Sequence, residues 1–374
     1  MENIDSAIFL SMVGDIIGFG NGFNEFNNNT FFTKDNFDNY EEDGADYSSQ
    51  MVFDFLYNGG FANHPQSDWT ISDDTLLLFA NAEALIEWDK NNVSDLITII
   101  QRNYVKVIDS RKKLEDFETK YKGGITTIAS LKRLLKGENY KRFSYNERGG
   151  GSGGTMRSGI IGMVLHNSQL QLIEACIEST CLTHVNTIAF LGSIVVALFA
   201  SYAMKKMRPD KWCIEMMEVL ESDIIDNYIN ENWKSIFDFY KRDKKIFVNK
   251  WKDYIEDKFD DQSFRYKKSL IMKYPSQRSL YYNKFSYRKN EIYPGAGGDD
   301  SVIIAYDCFM DCDGYWEKAV TYSMLHVGDS DTTGSICGLL YGLHYGYDEV
   351  AKIMKNNIIG EKNRANNIIK NLMK

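Results

Sequence analysis

Four prolines, Pro65, Pro209, Pro275 and Pro294, are all that interrupt 374 residues, and between them apolar residues recur at helical rather than alternating spacing. The pattern is plain in "DDTLLLFANAEALIEW", "VSDLITIIQRNYVKVI", "LQLIEACIEST", "KWCIEMMEVLESDIIDNYI" and "TGSICGLLYGLHYGYDEV". It predicts an all-α protein. No tandem repeat and no long Pro/Gly/Ser linker divides the chain, so residues 1–374 read as one compact single-domain multi-helix bundle. With 44% hydrophobic and 25% charged residues, the chain has the usual balance for a large packed core. Two stretches break the periodicity: residues 21–67, a candidate lid or insertion, and residues 252–293, charged but rich in Tyr and Phe.

A formal net charge of -9 argues against a nucleic-acid-binding role. The six cysteines (Cys176, Cys181, Cys213, Cys308, Cys312, Cys337) form no CxxC pair and read as reduced core thiols. The start, "MENIDSAIFLSMVGD", carries acids where a signal peptide carries bases, so the expected location is cytoplasmic. Residues 188–204, "IAFLGSIVVALFASYAM", form a long apolar run broken by small residues. A membrane span needs roughly 20 apolar residues, so this run reads as a buried helix closely approached by its neighbours. Gly334, Gly338, Gly342 and Gly346 fall on nearly one helical face. Each costs roughly 1 kcal/mol against alanine within a helix, and close approach of another helix is the expected compensation.

Two short stretches carry the chemistry. In "TISDDT" (70–75) and "HVGDSDTTG" (326–334), paired carboxylates and a hydroxyl precede an apolar helical run. Ser72, Asp73 and Asp74 open one helix; Asp329, Asp331 and Thr332 open another. Capping accounts for one or two of these, since acids in a first turn gain about 0.3–1 kcal/mol each from the helix dipole. It does not account for adjacent aspartates running into a buried helix, which repel unless a cation lies between them. Hard oxygen donors select Mg²⁺ or Mn²⁺ over zinc, although His326 stands just ahead of the second cluster. Beside capping, two functional readings stay open: a carboxylate-bridged metal pair that activates water, and two bare carboxylates flanking a sugar bond.

The loop "RGGGSGGTMRSG" (148–159) satisfies GxGxxG, but no hydrophobic strand precedes it, which argues against a dinucleotide-binding fold. It opens a helix, where backbone N–H groups approach phosphate oxygens, or it is simply a tight turn. A second glycine loop, "YPGAGGDD" (293–300), poses the same choice.

Together these motifs resemble the ADP-ribosylglycohydrolase family. "GDIIGFGNGFNEF", "ISDDTLLLFANAEAL", "GGGSGGTMRSGIIGM", "ESTCLTHVNT", "LGSIVVALFASYA", "IIAYD" and "GDSDTTGSICG" follow the family's order along nearly the whole chain. "GFGNG…NEF" is most similar to the arginine-specific branch; the serine-specific branch would carry a glutamate at Gly22. The resemblance implies an all-α body of that family's type with two Mg²⁺ ions, Mn²⁺ being the alternative, held by Ser72, Asp73, Asp74, Asp329, Asp331 and Thr332. It places Gly150, Gly151, Ser152, Gly153, Gly154, Thr155 and Met156 along the diphosphate and distal ribose. Gly297, Gly298 and Asp300 would lie on the nucleotide side, with Tyr281 or Tyr282 stacking on adenine. Asp73 and Asp329 are the implied catalytic residues, Glu25 faces the guanidinium, and His184 matches a position near the cleft.

The implied function is Mg²⁺-dependent hydrolysis of the N-glycosidic bond between ADP-ribose and arginine on proteins. The alternatives are a noncatalytic ADP-ribose-binding relative and a hydrolase of serine-linked or other O-linked ADP-ribose. Implied partners are ADP-ribosylated proteins and ADP-ribose, with a monomer and neither nucleic acid nor membrane expected. Thr187, Val327 and the crowded Asp299–Asp300 pair depart from the family pattern without removing an implied metal ligand.

Overall fold

A computed structural model of the chain describes residues 3–27, 40–260, 265–268, 271–286 and 294–374. Helices carry the fold, as the spacing predicts. Among the described residues there is no strand, only isolated bridges joining Gly151 to Gly297 and Phe259 to Tyr266. One continuous core of buried apolar side chains reaches from Ile4 to Ile369. The six cysteines are free and buried within it.

The most apolar helix, Thr187–Met204, runs through the middle, and all its residues from Thr187 to Ala203 are buried. It has no polar face to keep in water. Small residues admit its neighbours: a Cβ on Gly192 would lie 1.7 Å from Gly298 O, and one on Gly162 of the Gly159–Val164 helix 2.0 Å from Ala197 O. Among the described residues, two segments, Thr187–Met204 and Ile4–Gly22, are long and apolar enough to cross a membrane, yet 94% and 89% of their spans are buried inside the protein.

The Ile4–Phe19 and Ser330–Tyr345 helices, from opposite ends of the chain, meet along a glycine seam. A Cβ on Gly14 would sit 2.1 Å from Gly334 O, one on Gly18 2.2 Å from Ser330 O, and one on Gly338 2.1 Å from Leu10 O. Ser11 and Ser335 hydroxyls bond across the seam at 2.9 Å, and Ser330 Oγ donates to Gly18 O at 2.8 Å. Close backbone approach thus replaces the packing that the missing side chains would give. Gly346 does not extend the stripe. The helix stops at Tyr345, and Gly346 takes the left-handed φ of +79° that ends it.

Other boundaries differ from the periodic pattern where a cap intervenes. The run beginning at Trp212 divides into Trp212–Glu221 and Asp223–Asn232 because Ser222 turns extended and its hydroxyl accepts from Ile224 N–H. Residues 21–67 contain the Tyr40–Tyr57 and Gly60–Asn63 helices, while positions 28–39 lie outside the described residues. Tyr40–Tyr57 packs against Pro275–Asn283. In residues 252–293, the Phe237–Lys258 helix runs on to Lys258, and buried ion pairs Lys258–Asp307 (2.6 Å) and Arg278–Asp307 (3.2 Å) fasten this region to the Asp300–Asp311 helix. Positions 261–264, 269–270 and 287–293 of that stretch lie outside the described residues.

Candidate active site

The seam sets the site. The Ile4–Phe19 helix carries Asp15, an aspartate with no exposure, and its carboxylate accepts from Ser72 N–H at 3.1 Å and Thr75 N–H at 3.1 Å. Those are first-turn amides of the Asp73–Glu87 helix, which have no partner within their own helix. Ser72 is the N-cap, its hydroxyl accepting from Asp74 N–H at 3.1 Å. Asp73 N–H donates to Tyr121 O at 3.0 Å, and Gly124 N–H to Asp73 Oδ2 at 3.4 Å. Both predicted clusters therefore do open helices; Ser72 caps the first with its side chain, while Asp329, the N-cap of the second, makes no side-chain cap bond. Across the site, Ser152 Oγ donates to Asp329 Oδ2 at 2.9 Å and Thr332 N–H to Asp331 Oδ1 at 2.9 Å.

Capping leaves the rest of the charge unexplained. Carboxylate oxygens of Glu25, Asp329 and Asp331 lie within 4.8 Å of one another. Asp73 and Asp74 belong to the same electrostatic neighbourhood. Burial first, then Asp15 and Asp329, push the Asp73 carboxyl up to about 7. Asp74 is held well above the carboxylate range by burial and then by Asp15, Asp73, Asp329 and Glu25. Asp331 is raised by burial and then Glu25 and Asp74, and Glu25 by burial and then Asp329 and Asp73. Asp329 is also raised, by burial. Asp74 Oδ2 is buried without a hydrogen-bond partner. None of these five carboxylates has an ion pair among the described residues, so the cluster has the form of a divalent-cation site made of hard oxygen donors. The set fits Mg²⁺ or Mn²⁺. It offers no thiol ligand for zinc.

A cavity of about 410 Å³ opens over this cluster. One wall is Glu25 and Phe26, a second is Lys122 to Thr127, and the floor holds Asp73, Asp74, Asp329 and Thr332. The far wall is Gly151, Ser152, Gly153, Met156, His184 and Ala296. None of residues 48–57, the described side chains of the Tyr40–Tyr57 helix, lines it. A Cβ on Gly153 would fall 2.5 Å from His184 Cε1, so glycine here is required for the imidazole to reach the cavity. His184 is 4% exposed, bonds Thr183 Oγ1 through Nδ1 at 2.8 Å, and burial lowers it to about 3. It is neutral at physiological pH.

Several implied contacts fall elsewhere. Gly154 packs against Thr180 and Ala189, and Thr155 Oγ1 bonds Ser152 O at 2.6 Å and Ser301 Oγ at 3.1 Å, so both support the glycine loop from behind. Gly150 N-terminal to the wall, and Gly297 with Gly298 opposite, form the bridge that holds it: Gly298 N–H donates to Gly150 O at 2.9 Å. Asp300 is fully buried beneath the second glycine loop and does not line the cavity. Tyr282 belongs to the core, with its hydroxyl donating to Tyr322 O at 3.0 Å, and Tyr281 packs edge-on against Phe285. Neither lines the cavity. Sequence reasoning passes over Asp15 and the Lys122–Gly124 segment. Asp15 leaves one signal, a lone acid inside the apolar run "MVGDIIG".

The helical body sets paired acidic helix starts opposite a glycine wall, and its sequence matches a family of glycohydrolases. A profile of the ADP-ribosylglycohydrolase family matches residues 1–373. The chain belongs to that family. It is 31% identical over 380 residues to a protein of Acanthamoeba polyphaga mimivirus titled "Putative ADP-ribosyl glycohydrolase", covering 98% of this chain and 69% of the relative. It is 30% identical over 374 residues to the ADP-ribosylhydrolase ARH1 of Dictyostelium discoideum, covering 93% of this chain and 88% of that one. A solved "ADP-ribosylglycohydrolase-related protein complex" superposes with a TM-score of 0.53 over 99% of this chain and 96% of its own, at 15% identity, which is a likeness of fold.

Proposed function

We propose that the protein is a divalent-metal-dependent hydrolase that releases ADP-ribose from arginine side chains of modified proteins. The observation that carries this reading is the convergence of the Asp329 and Asp331 carboxylates with that of Glu25, where Asp329 and Glu25 line the cavity. Ser72, Asp73, Asp74, Asp329, Asp331 and Thr332 would hold the metal pair. Bound there, Mg²⁺ would supply the positive charge that offsets the crowded carboxylates and orients sugar hydroxyls. The Gly151–Gly153 wall has no side chain beyond Ser152, so a diphosphate can lie close to its backbone. Asp73 and Asp329 orient the attacking water and take its proton. Glu25 faces the departing group, where its carboxylate attracts a guanidinium and draws positive charge away from the sugar. Water adds to C1″, the bond to the guanidinium nitrogen breaks, and the proton from water ends on guanidine. The resemblance of the entrance motif "GFGNG…NEF" to the arginine-specific branch favours arginine over serine.

Release of ADP-ribose from matched arginine-linked and serine-linked substrates, with Mg²⁺ and with chelator, tests the reading. The expected result is Mg²⁺-dependent release from the arginine substrate. Release from the serine substrate alone would refute the linkage, and binding of ADP-ribose without any turnover would refute the enzyme.

A further inference from the structure

We infer that Asp300 is a positioning residue which sets the register between the two halves of the site, without touching ligand. The second glycine loop runs from Pro294 to Gly298 and carries contacts on both sides. On one side Asp329 N–H donates to Pro294 O at 2.9 Å, and Gly295 presses against Asp329, where a Cβ would lie 2.9 Å from its carbonyl oxygen. On the other side Ser152 N–H donates to Ala296 O and Gly298 N–H to Gly150 O, both at 2.9 Å. One five-residue loop therefore fixes an acid of the metal cluster and the glycine wall opposite it. Gly295 holds a left-handed φ of +93°, which glycine reaches at no steric cost, so the loop's shape needs a fixture from outside it.

Asp300 is that fixture. Its two carboxylate oxygens accept from Gly295 N–H at 3.0 Å and Gly297 N–H at 2.8 Å, one bond toward each side of the loop. Asp299 completes the base: its carboxylate accepts from Asp300 N–H at 2.9 Å and pairs with Lys250 at 2.5 Å. Asp300 is fully buried at the start of the Asp300–Asp311 helix, so the loop is anchored to the core. Neither aspartate lines the cavity.

This inference rests on the proposed division of the site into a metal half and an ADP-ribose half. Its test is Asp300→Asn, which keeps the size but replaces one acceptor by a donor. Mn²⁺ and free ADP-ribose serve as separate probes, titrated by calorimetry into a variant whose helical circular dichroism matches wild type. A buried hydrogen bond to a loop amide is the interaction at risk, and leaving that amide unpaired is costly, so each affinity is expected to fall by about tenfold. Loss of ADP-ribose affinity alone would make Asp300 a ligand contact, and unchanged affinity for both would leave it a structural residue; either overturns the inference. A wild-type protein that binds neither probe overturns the two-half site itself. Hydrogen exchange on the wild-type protein gives a test without a variant. The amides of Gly295, Gly297, Gly298 and Ser152 should open together, and independent opening of the Ser152 side would contradict the bracket.

Discussion

At the residue scale, each carboxylate is held by groups whose removal has a distinct signature. Ser152→Ala deletes the hydroxyl that donates to Asp329 Oδ2. Residues that orient a metal ligand from outside cost about 10–100-fold in affinity when lost, so Mn²⁺ affinity in Ser152→Ala should fall within that range while the melting temperature stays close to wild type. Affinity equal to wild type would show that Asp329 needs no such support. Asp15→Ala should lose both: its carboxylate satisfies two first-turn amides of the Asp73–Glu87 helix, a loss worth about 1–3 kcal/mol of stability, and the Asp73–Asp74 pair moves with that turn. Thermal melting with and without metal separates the two effects. The chain announces Ser72, Asp73, Asp74, Asp329, Asp331 and Thr332 openly, because acids before an apolar run are costly without a use. It hides Asp15, and it points to Asp300 as a ligand neighbour rather than as the residue beneath the second glycine loop. Their partners are backbone amides, and no residue pattern records where an amide will point.

At the element scale, the helices were readable because their apolar period is strong, and the glycine stripe announced a close approach without naming the partner. That partner is the first helix, some 300 positions away in the chain, and only the folded seam shows that Gly14 and Gly18 complete it. Helix propensity and packing make opposite predictions for Gly338→Ala. Propensity alone offers a gain of roughly 1 kcal/mol. Packing opposes it, because the new Cβ would sit 2.1 Å from Leu10 O, and overpacking costs typically about 1–3 kcal/mol or more. Packing should win, since the clash is with backbone that cannot rotate aside. Denaturant melts should show net destabilisation, and a stabilised variant would contradict the seam.

At the scale of the whole molecule, the acidic cluster couples folding to metal and pH. Asp15 and Asp73 are pushed up to about 6 and about 7, burial being the largest cause in each. In the cation-free protein they bind protons more tightly folded than unfolded, so their contribution to stability falls as pH rises from about 4 through 7. Buried His184 and His326, lowered to about 3 and about 4, act oppositely: stability is lost as pH falls below the unfolded histidine value. The histidines act alike with or without metal, so the Mg²⁺-induced rise in melting temperature isolates the carboxylates. It should be small at pH 5 and grow steadily to pH 8. A rise of equal size at both ends would place the metal away from this cluster. The acidic motifs are legible in the sequence, but the pH window depends on how deeply the fold buries them.

The most direct test of the central claim, that two helix starts far apart in sequence make one metal site, is Mn²⁺ binding followed by electron paramagnetic resonance in three proteins. Wild type should bind a magnetically coupled pair. Asp74→Ala and Asp329→Ala, one from each helix start, should each abolish that coupled signal while keeping their helical circular dichroism. A coupled pair that survives either substitution would contradict the account.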